Sequence, residues 1–122
     1  MTIVNIVLCI VTRCCCVSII IYTKINLAEN YSFSYNIIKS VSEPFNAKAK
    51  SIIQNAIDGE NMETAHTHLG KLFSHLCVKH FDSESMDAIA MHGQTIAHVD
   101  GVMTHQIGDP QFLADVFQIP VL

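Results

Sequence analysis

The sequence has few charged residues and no cluster of basic ones. Of its 122 residues 15% are charged, and 7 Lys and Arg stand against 11 Asp and Glu for a net charge of -4. Because binding to a phosphate backbone depends on clustered Lys and Arg, this composition argues against nucleic acid as a partner. A hydrophobic fraction of 50% predicts a folded chain, and the length allows one domain at most.

The chain also lacks the spacings that usually bind metal ions. Three of its 5 cysteines are adjacent at positions 14–16, and no C-x-x-C pair occurs, which argues against structural zinc and indicates reduced thiols in a cytosolic protein. No i, i+4 pair occurs among the histidines of the central region, which are His66, His68, His75 and His80. His98 and His105 flank a predicted turn, and shared metal ligation by these two is an alternative to a structural role.

The N-terminus lacks the basic region and the small-residue cleavage site of a signal peptide. Residues 2–22 are apolar over the length that a membrane-spanning helix needs, but Asn5 and Arg13 interrupt the run and its many β-branched residues favour strands. We therefore expect two buried strands here, with a membrane segment as the alternative, and a third strand whose polar and apolar residues alternate. The expected strands are 2–11, 17–26 and 31–38.

After the strands, the hydrophobic period changes from two residues to about 3.6, which predicts helices. The first helix is expected to begin near Ser42 and Pro44 and to end at Gly59. The second follows at Met62 and ends near Phe81. Their apolar stripes are Ala49, Ile52, Ile53, Ala56 and Ile57 in the first helix, and Met62, Ala65, Leu69, Leu72, Phe73, Leu76 and Cys77 in the second.

Short apolar runs separated by polar turns follow the second helix. "MDAIAM", residues 86–91, predicts a short buried strand, and "TIAHV" and "VMTHQI" predict a hairpin. Asp100 and Gly101 between them favour a tight turn in which both central residues take positive φ. Asp109 and Pro110 predict the start of a helix, with Asp109 capping backbone N–H groups and Pro110 at the first helical position.

Turn formation does not account for "HGQT" at residues 92–95, where a predicted strand ends. His92, Gln94 and Thr95 offer donors and acceptors suited to a polyhydroxylated or phosphorylated ligand, and Gly93 permits close approach of the backbone. Open α/β folds place ligands at the carboxyl ends of their strands. These four residues are therefore candidate substrate-binding residues, and a structural polar turn is the alternative.

The segments "DAIAMHGQTIAHVDG" and "THQIGDPQFLADVFQIPV" together resemble the anhydro-N-acetylmuramic acid kinases, whose members carry "IGSHGQT" and then "QIGDP" before a helix. "LGKLFSHL", residues 69–76, resembles the family's helix just upstream. The resemblance implies an α/β fold: an incomplete actin/hexokinase-like (ribonuclease-H-like) N-terminal lobe, with three N-terminal strands, then helices and a short strand. Residues 1–122 would form this partial N-terminal lobe of a sugar-kinase-like fold, with the second lobe absent.

The resemblance also implies a reaction and a set of partners. The family uses ATP and Mg2+ to phosphorylate 1,6-anhydro-N-acetylmuramic acid while water opens the anhydro ring, giving N-acetylmuramic acid 6-phosphate for cell-wall recycling. An anhydro amino sugar and ATP are therefore the expected partners, and the cytoplasm is the expected location. The chemistry needs a base to activate water, a cradle for the ATP phosphates and polar contacts that hold the sugar in line.

The expected phosphate cradle departs from the family. Its motif "GLMSGTSxDG" falls on residues 7–16, "VLCIVTRCCC", where only Leu8 and Thr12 match. Thr12 is thus a remnant of the phosphate loop. Val11 and Cys16 stand where the family motif has glycines, and Cys15 stands where it has a carboxylate. A phosphate nest needs glycine, and Mg2+ needs hard oxygen ligands, so the altered loop argues against ATP and Mg2+ here.

The family's catalytic aspartate lies in an "ADFRxxD…GGQGAP" region that these 122 residues do not contain. We therefore assign no catalytic and no metal-binding residue, and we expect the chain alone to be inactive. The final "QIPVL" is typical of a strand that is just beginning, which predicts further sequence downstream. Two alternatives are a non-catalytic interaction module, forming homo-oligomers through an unpaired sheet edge, and a small membrane-anchored protein.

Overall fold

The computed structural model describes residues 2–11, 17–81 and 85–122, which fold as a mixed α/β structure. The strands are β1 Thr2–Val11, β2 Val17–Leu27, β3 Phe33–Pro44, β4 Ala88–Met91, β5 Gln94–Val99 and β6 Met103–Ile107, and the helices are α1 Ala47–Ile57, α2 Met62–Phe81 and α3 Gln111–Phe117. The three N-terminal strands, the two helices and the short strand that follows them are present in the predicted order, and the bounds of β3 and α1 differ from the predicted ones.

The four-stranded sheet has the order β3-β2-β1-β4. β1 and β2 pair antiparallel from Thr2↔Leu27 to Val11↔Ser18, and β4 lies parallel to β1 with Val7 opposite Ile89. A parallel neighbour requires a crossover connection, and β3, α1 and α2 all lie in the chain between β1 and β4.

Where the structure describes their burial, at residues 2–8 and 20–27, β1 and β2 are not buried throughout, which corrects the expectation of two buried strands. Val7 and Tyr22 lie opposite each other and are 0% and 7% exposed, while the neighbouring pair Leu8 and Ile21 is only half-buried. Because successive strand residues point to opposite faces, the sheet has an inner face that meets the helices and an outer face that the described helices do not cover.

β3 extends six residues beyond its predicted end because it pairs along the whole of β2, from Leu27↔Phe33 to Val17↔Pro44. The polar sequence after Ile38 gives no local strand signal, so tertiary pairing decides its conformation. A register shift beside Tyr22 and Thr23 bends the pair, and Thr23 Oγ1 donates to the carbonyl of Asn36 at 3.0 Å. Tyr31, predicted to begin this strand, lies instead in the preceding turn with φ 64°.

α1 begins later than predicted. Ser42 and Pro44 belong to β3, and the N-cap is Asn46, whose side-chain oxygen accepts from Ala49 N at 2.8 Å. This amide satisfies one of the backbone donors that the first turn leaves unpaired. Gly59 follows the helix with φ 84°, a conformation that favours glycine.

α1 and α2 bury their apolar stripes against the inner face of the sheet. The core contains Ile53 from α1, Phe73 and Cys77 from α2, and Val7 and Ile89 from the sheet, each at most 1% exposed. α2 runs from Met62 to Phe81, as the 3.6-residue period predicts.

The predicted hairpin is present as β5 and β6, which pair from Gln94↔Ile107 to Val99↔Met103. Its turn differs from the expected one. Only Gly101 takes a positive φ, 69°, and Val102 N donates to Val99 O at 3.0 Å, so the connection has three residues rather than two. The length of the connection is therefore determined by the strand pairing and not by the Asp100–Gly101 pair alone.

The last residues of the chain lie beside β4. Val121 forms a parallel bridge with Ile89, Leu122 N donates to Ile89 O at 2.8 Å, and Ile89 N donates to Pro120 O at 2.9 Å. This pairing places the end of the chain next to the turn that carries His92.

Within the described ranges, no helix is both long and apolar enough to cross a membrane. The apolar N-terminal segment, for which a membrane helix was the alternative, contributes β1 and β2 to the sheet. Thr12, the expected phosphate-loop remnant, lies outside the described residues, as do the other residues from 13 to 16.

Candidate functional site

The two segments that carry the family resemblance meet in space. "HGQT" follows β4 and opens β5, and "QIGDP" closes β6, so the pairing of Gln94 with Ile107 brings them side by side. We call residues 91–95 and 106–109 the loop junction. Ten residues of hairpin separate the two segments in sequence, and the antiparallel fold of that hairpin returns the chain to its starting point.

Gly93 lets the two loops touch. A Cβ at this position would lie 2.7 Å from Ile107 O, closer than real Cβ atoms come to a backbone oxygen. The residue is buried. Glycine is therefore required for close packing against the neighbouring loop, whereas its sequence position indicated the close approach of a ligand.

His66 on α2 anchors the second loop. Its Nδ1 accepts from Gly108 N at 3.0 Å, and its carbonyl accepts from Asp109 N at 3.0 Å. Gly108 has φ 123°, and a Cβ there would lie 2.9 Å from both Met91 and Phe73. Side-chain and backbone atoms of one helical residue thus hold the "IGD" turn in a conformation that favours glycine.

Gly70, one turn further along α2, completes this packing. A Cβ on Gly70 would lie 2.5 Å from Asp109 O and 2.8 Å from Phe112 Cδ2. The sequence interpretation treated His66 as a packed or surface histidine and gave Gly70 no role. Their spacing of four residues places both on one helix face, and that spacing was the available signal.

His92 is the exposed member of the predicted substrate-binding set, and its side chain contacts the other loop. Gln106 Nε2 lies 2.9 Å from His92 Nε2. An amide nitrogen can only donate, so the ring accepts at Nε2 and its proton lies on Nδ1. This arrangement presents an N–H donor from His92 and a carbonyl oxygen from Gln106 on the surface of the junction.

Gln94 is 1% exposed and lies beneath the surface. Its Nε2 donates to Thr95 O at 2.9 Å, whereas Oε1 has no hydrogen-bond partner within the described part of the chain. Thr95 is half-buried. A buried acceptor without a partner is destabilising by about 1–3 kcal/mol, which is more typical of a functional residue than of a structural one.

A shallow cavity of about 240 Å³ lies at the junction. Its wall is made of Met91, Gly93, Gln106, Ile107, Gly108, Pro110, Val121 and Leu122. The volume is below the roughly 300–1,000 Å³ of pockets that enclose drug-sized ligands, so a monosaccharide would be held only in part. These lining residues include no acidic side chain that could activate water.

Asp109 and Pro110, the predicted helix cap, lie at the edge of this cavity. Asp109 Oδ1 accepts from Gln111 N at 2.9 Å, and Pro110, with φ -69° and ψ -14°, accepts at its carbonyl from Ala114 N at 3.1 Å. The carboxylate is thus engaged with the first turn of α3.

The structure describes half of the expected phosphate cradle. The described part of that segment, residues 7–11, lies within β1 and pairs with β2 up to Val11↔Ser18, while residues 7–9 also pair with β4. Backbone N–H groups committed to a sheet are not available as a phosphate nest. None of these residues offers a carboxylate to a metal ion.

His98 and His105 do not form a shared metal site. His98 pairs with Thr104 and His105 with Ala97, so the two rings lie on opposite faces of the hairpin. His98 is instead bonded to Thr104 Oγ1 and Asp100 Oδ1, both at 2.7 Å. No group of three or more metal-ligating side chains occurs within residues 2–11, 17–81 and 85–122.

Two titratable groups outside the loop junction have shifted pKa values. Hydrogen bonds from Lys79 and then His80 lower the pKa of Glu43, and this cluster ties β3 to the end of α2. Burial lowers the pKa of His68, and the nearby charges of Lys48 and Lys71 act in the same direction. Both are contacts between elements of the fold and do not touch the cavity.

Comparison with models of protein families gives no match to this chain. Comparison with curated proteins likewise gives none. The geometry of the junction and the two sequence segments are therefore the basis of the functional argument.

Proposed function

We propose that this chain is similar in function to the sugar-binding part of the anhydro-N-acetylmuramic acid kinases, and that these 122 residues alone bind the anhydro sugar weakly and do not transfer phosphate. The observation that carries the proposal is the contact between "HGQT" and "QIGDP". Gln94 pairs with Ile107, and His92 meets Gln106 across the two loops.

The order of elements supports an actin/hexokinase-like N-terminal lobe as the finer interpretation of the fold. Three antiparallel strands are followed by two helices and a short strand parallel to the first one. The junction lies at the carboxyl end of β4, the edge at which open α/β sheets bind ligands. An anhydro amino sugar suits it because its hydroxyl and acetamido groups can donate to Gln106 and accept from His92.

Weak binding follows from the size and chemistry of the site. The cavity covers part of a monosaccharide, and Gln106 is the one polar side chain among its lining residues, which do not include His92, Gln94 or Thr95. We expect a dissociation constant on the order of 1 mM, equivalent to about -4 kcal/mol. The expected absence of phosphoryl transfer rests on the altered phosphate motif at residues 7–16, where only Leu8 and Thr12 match the family, and on the pairing of residues 7–11 within the sheet.

The test uses the purified 122-residue chain in two assays. Transfer of labelled γ-phosphate from Mg-ATP to 1,6-anhydro-N-acetylmuramic acid should not exceed that of a heat-denatured sample. Saturation-transfer NMR should detect sugar binding that His92→Ala weakens by about two- to tenfold, since a hydrogen bond contributes about 0.5–1.5 kcal/mol.

His98→Ala is the matched control, because His98 is also an exposed histidine of this region but lies at the far end of the hairpin. It should leave sugar binding unchanged. Phosphorylated sugar in excess of the heat-denatured control would contradict the predicted inactivity. Sugar binding that is equally strong in the His92→Ala variant would contradict the assignment of the site.

The alternative of a non-catalytic interaction module is favoured by a separate observation. The outer face of the sheet exposes large apolar side chains, Phe33 and Tyr35 among them. An exposed apolar face of this kind marks an interaction surface more often than a catalytic one.

A further inference from the structure

The outer face of the sheet is apolar and uncovered by any described element. Its side chains come from the three N-terminal strands, and they are Leu8, Ile21, Ile25, Phe33, Tyr35 and Ile37, with the buried hydroxyl residue Thr23 among them. Phe33, Tyr35 and Ile37 are 69%, 63% and 57% exposed. Monomeric proteins rarely leave a contiguous apolar patch of this kind in water.

The described side chains of the outer face are also uncharged. Lys24 is two residues from Tyr22 on β2, and Lys39 lies opposite Tyr22 on β3, so both belong to the inner side. Lys39 Nζ confirms this placement, since it lies 5.0 Å from the centre of the Phe81 ring on α2. A patch without charge does not repel an identical patch, whereas the whole chain carries a net charge of -4.

The same face combines projecting rings with a depression. Phe33 and Tyr35 project into solvent and border a hollow of about 250 Å³ whose floor includes Ile21 and Ile25. A surface with both projecting aromatic rings and a hollow that can receive such rings is complementary to itself. Two copies can therefore pair about a twofold axis, and each contact then occurs twice.

The exposed area is close to what a specific dimer requires. Given that a large aromatic side chain carries about 150–250 Å² of surface, Phe33, Tyr35 and Ile37 together expose roughly 350 Å². The half-buried neighbours bring the total for two copies to about 1,000 Å², the lower limit of specific interfaces.

We propose that the outer face is the contact surface between two copies of this chain, packed sheet on sheet about a twofold axis. Sheets pack face to face at about 10 Å with their apolar side chains interleaved, and the aromatic rings of each copy fill the hollow of the other. At the lower limit of interface size, the dimer is reversible and its population rises with concentration.

The test is the molar mass of the complete chain by sedimentation equilibrium over a wide range of concentrations. Reducing buffer prevents disulfides between chains that the 5 cysteines could form. The mass should rise from 13.5 kDa toward twice that value as concentration increases. Tyr35→Lys and Ile37→Lys, which place a charge in the interface, should each weaken dimerisation at least tenfold.

Ser34→Lys and Val102→Lys are the matched controls. Ser34 lies between the two exposed rings but points to the other face, and Val102 is 77% exposed at the tip of the distant hairpin. Both should dimerise like the original chain, and far-UV circular dichroism should show that every variant is folded.

Three results would overturn the proposal. They are a mass that stays at 13.5 kDa up to the solubility limit, a dimer that Tyr35→Lys and Ile37→Lys leave intact, and a mass that keeps rising past the dimer. The last result contradicts it because a twofold interface closes after two copies.

Discussion

The loop junction is fixed by backbone contacts between loops and a helix, whereas the β2–β3 hairpin is held mainly by strand pairing and leaves one face in solvent. Gly93 and Gly108 of the junction, and Gly70 of the helix that packs against it, each lie so close to neighbouring atoms that a Cβ would collide. In the hairpin, most side chains of β3 are exposed. The residue types allowed at the junction are therefore limited by close packing. Those allowed in the hairpin are limited by strand pairing and by the need to remain soluble.

This difference bears on function. A ligand site needs groups whose positions are set by their surroundings, and the junction provides them. The described residues of the segment that should hold ATP phosphates, 7–11, belong to β1 and are held by strand pairing in the same way as the hairpin. The contrast explains why we propose sugar binding without phosphoryl transfer.

The largest difference should appear when the same residue type is truncated in both regions. Phe73 is 1% exposed beneath Gly108, and Phe33 is 69% exposed on the hairpin. Phe73→Ala should lower the free energy of unfolding by about 3–5 kcal/mol, because it removes buried apolar surface and leaves a cavity. Phe33→Ala should change it by less than about 0.5 kcal/mol in the monomer, as measured by urea unfolding at low concentration. If both substitutions changed the free energy of unfolding equally, the proposed difference in packing between the junction and the hairpin would be contradicted.

Gly70→Ala tests the close approach of α2 to the junction. Replacing glycine by alanine inside a helix normally stabilises it by up to about 1 kcal/mol. Here we expect a loss of about 1–3 kcal/mol, because the new methyl group would meet Asp109 O at 2.5 Å. Gly59→Ala, where no atom lies within 4 Å, isolates the effect of positive φ alone and should cost about 1 kcal/mol. A stabilised Gly70→Ala variant would show that the two elements do not touch.

Gln94→Met should leave the protein as stable as before or more stable by up to about 1 kcal/mol. The substitution removes a buried acceptor that has no partner among the described residues and keeps a side chain of similar volume. Gln54→Met, on the exposed side of α1, is the control and should have an effect within about 0.5 kcal/mol. A clear loss of stability specific to Gln94→Met would mean that the amide is structural.

The smallest expected effect concerns pH. Burial and two lysines lower the pKa of His68 below its ordinary value of 6.5, so the unfolded chain binds more protons than the folded chain as pH falls past that value. The free energy of unfolding should therefore fall as the pH is lowered from about 7.5 to about 5.5. In the His68→Gln variant this loss should be smaller. His75→Gln, an exposed histidine on the same helix, should not. Urea midpoints at both pH values measure the difference.

Much of the fold follows from local patterns in the sequence. The β-branched run predicts β1 and β2, the 3.6-residue stripe predicts α2 from Met62 to Phe81, and the apolar run after it predicts β4. The length of β3 and the cap at Asn46 could not be predicted in this way. Pairing with β2 extends the strand through a polar segment, and that extension moves the start of α1.

The candidate site was predictable in part. The composition of "HGQT" indicated a polar loop at a strand end, and the structure places His92 on the surface there while it buries Gly93 and Gln94. The contribution of α2 depends on long-range contacts, since His66 lies 42 residues from Gly108 in the chain. The four-residue spacing of His66 and Gly70 indicates a shared helix face, but it does not identify the loop that this face contacts.

The most direct test of the account is an NMR titration of the 15N-labelled chain with 1,6-anhydro-N-acetylmuramic acid. The account predicts shifts of the amide signals of residues 91–95 and 106–109, with the signals of β2 and β3 unmoved. It would be contradicted if millimolar sugar left the junction signals unchanged, or if the shifts fell mainly on the hairpin.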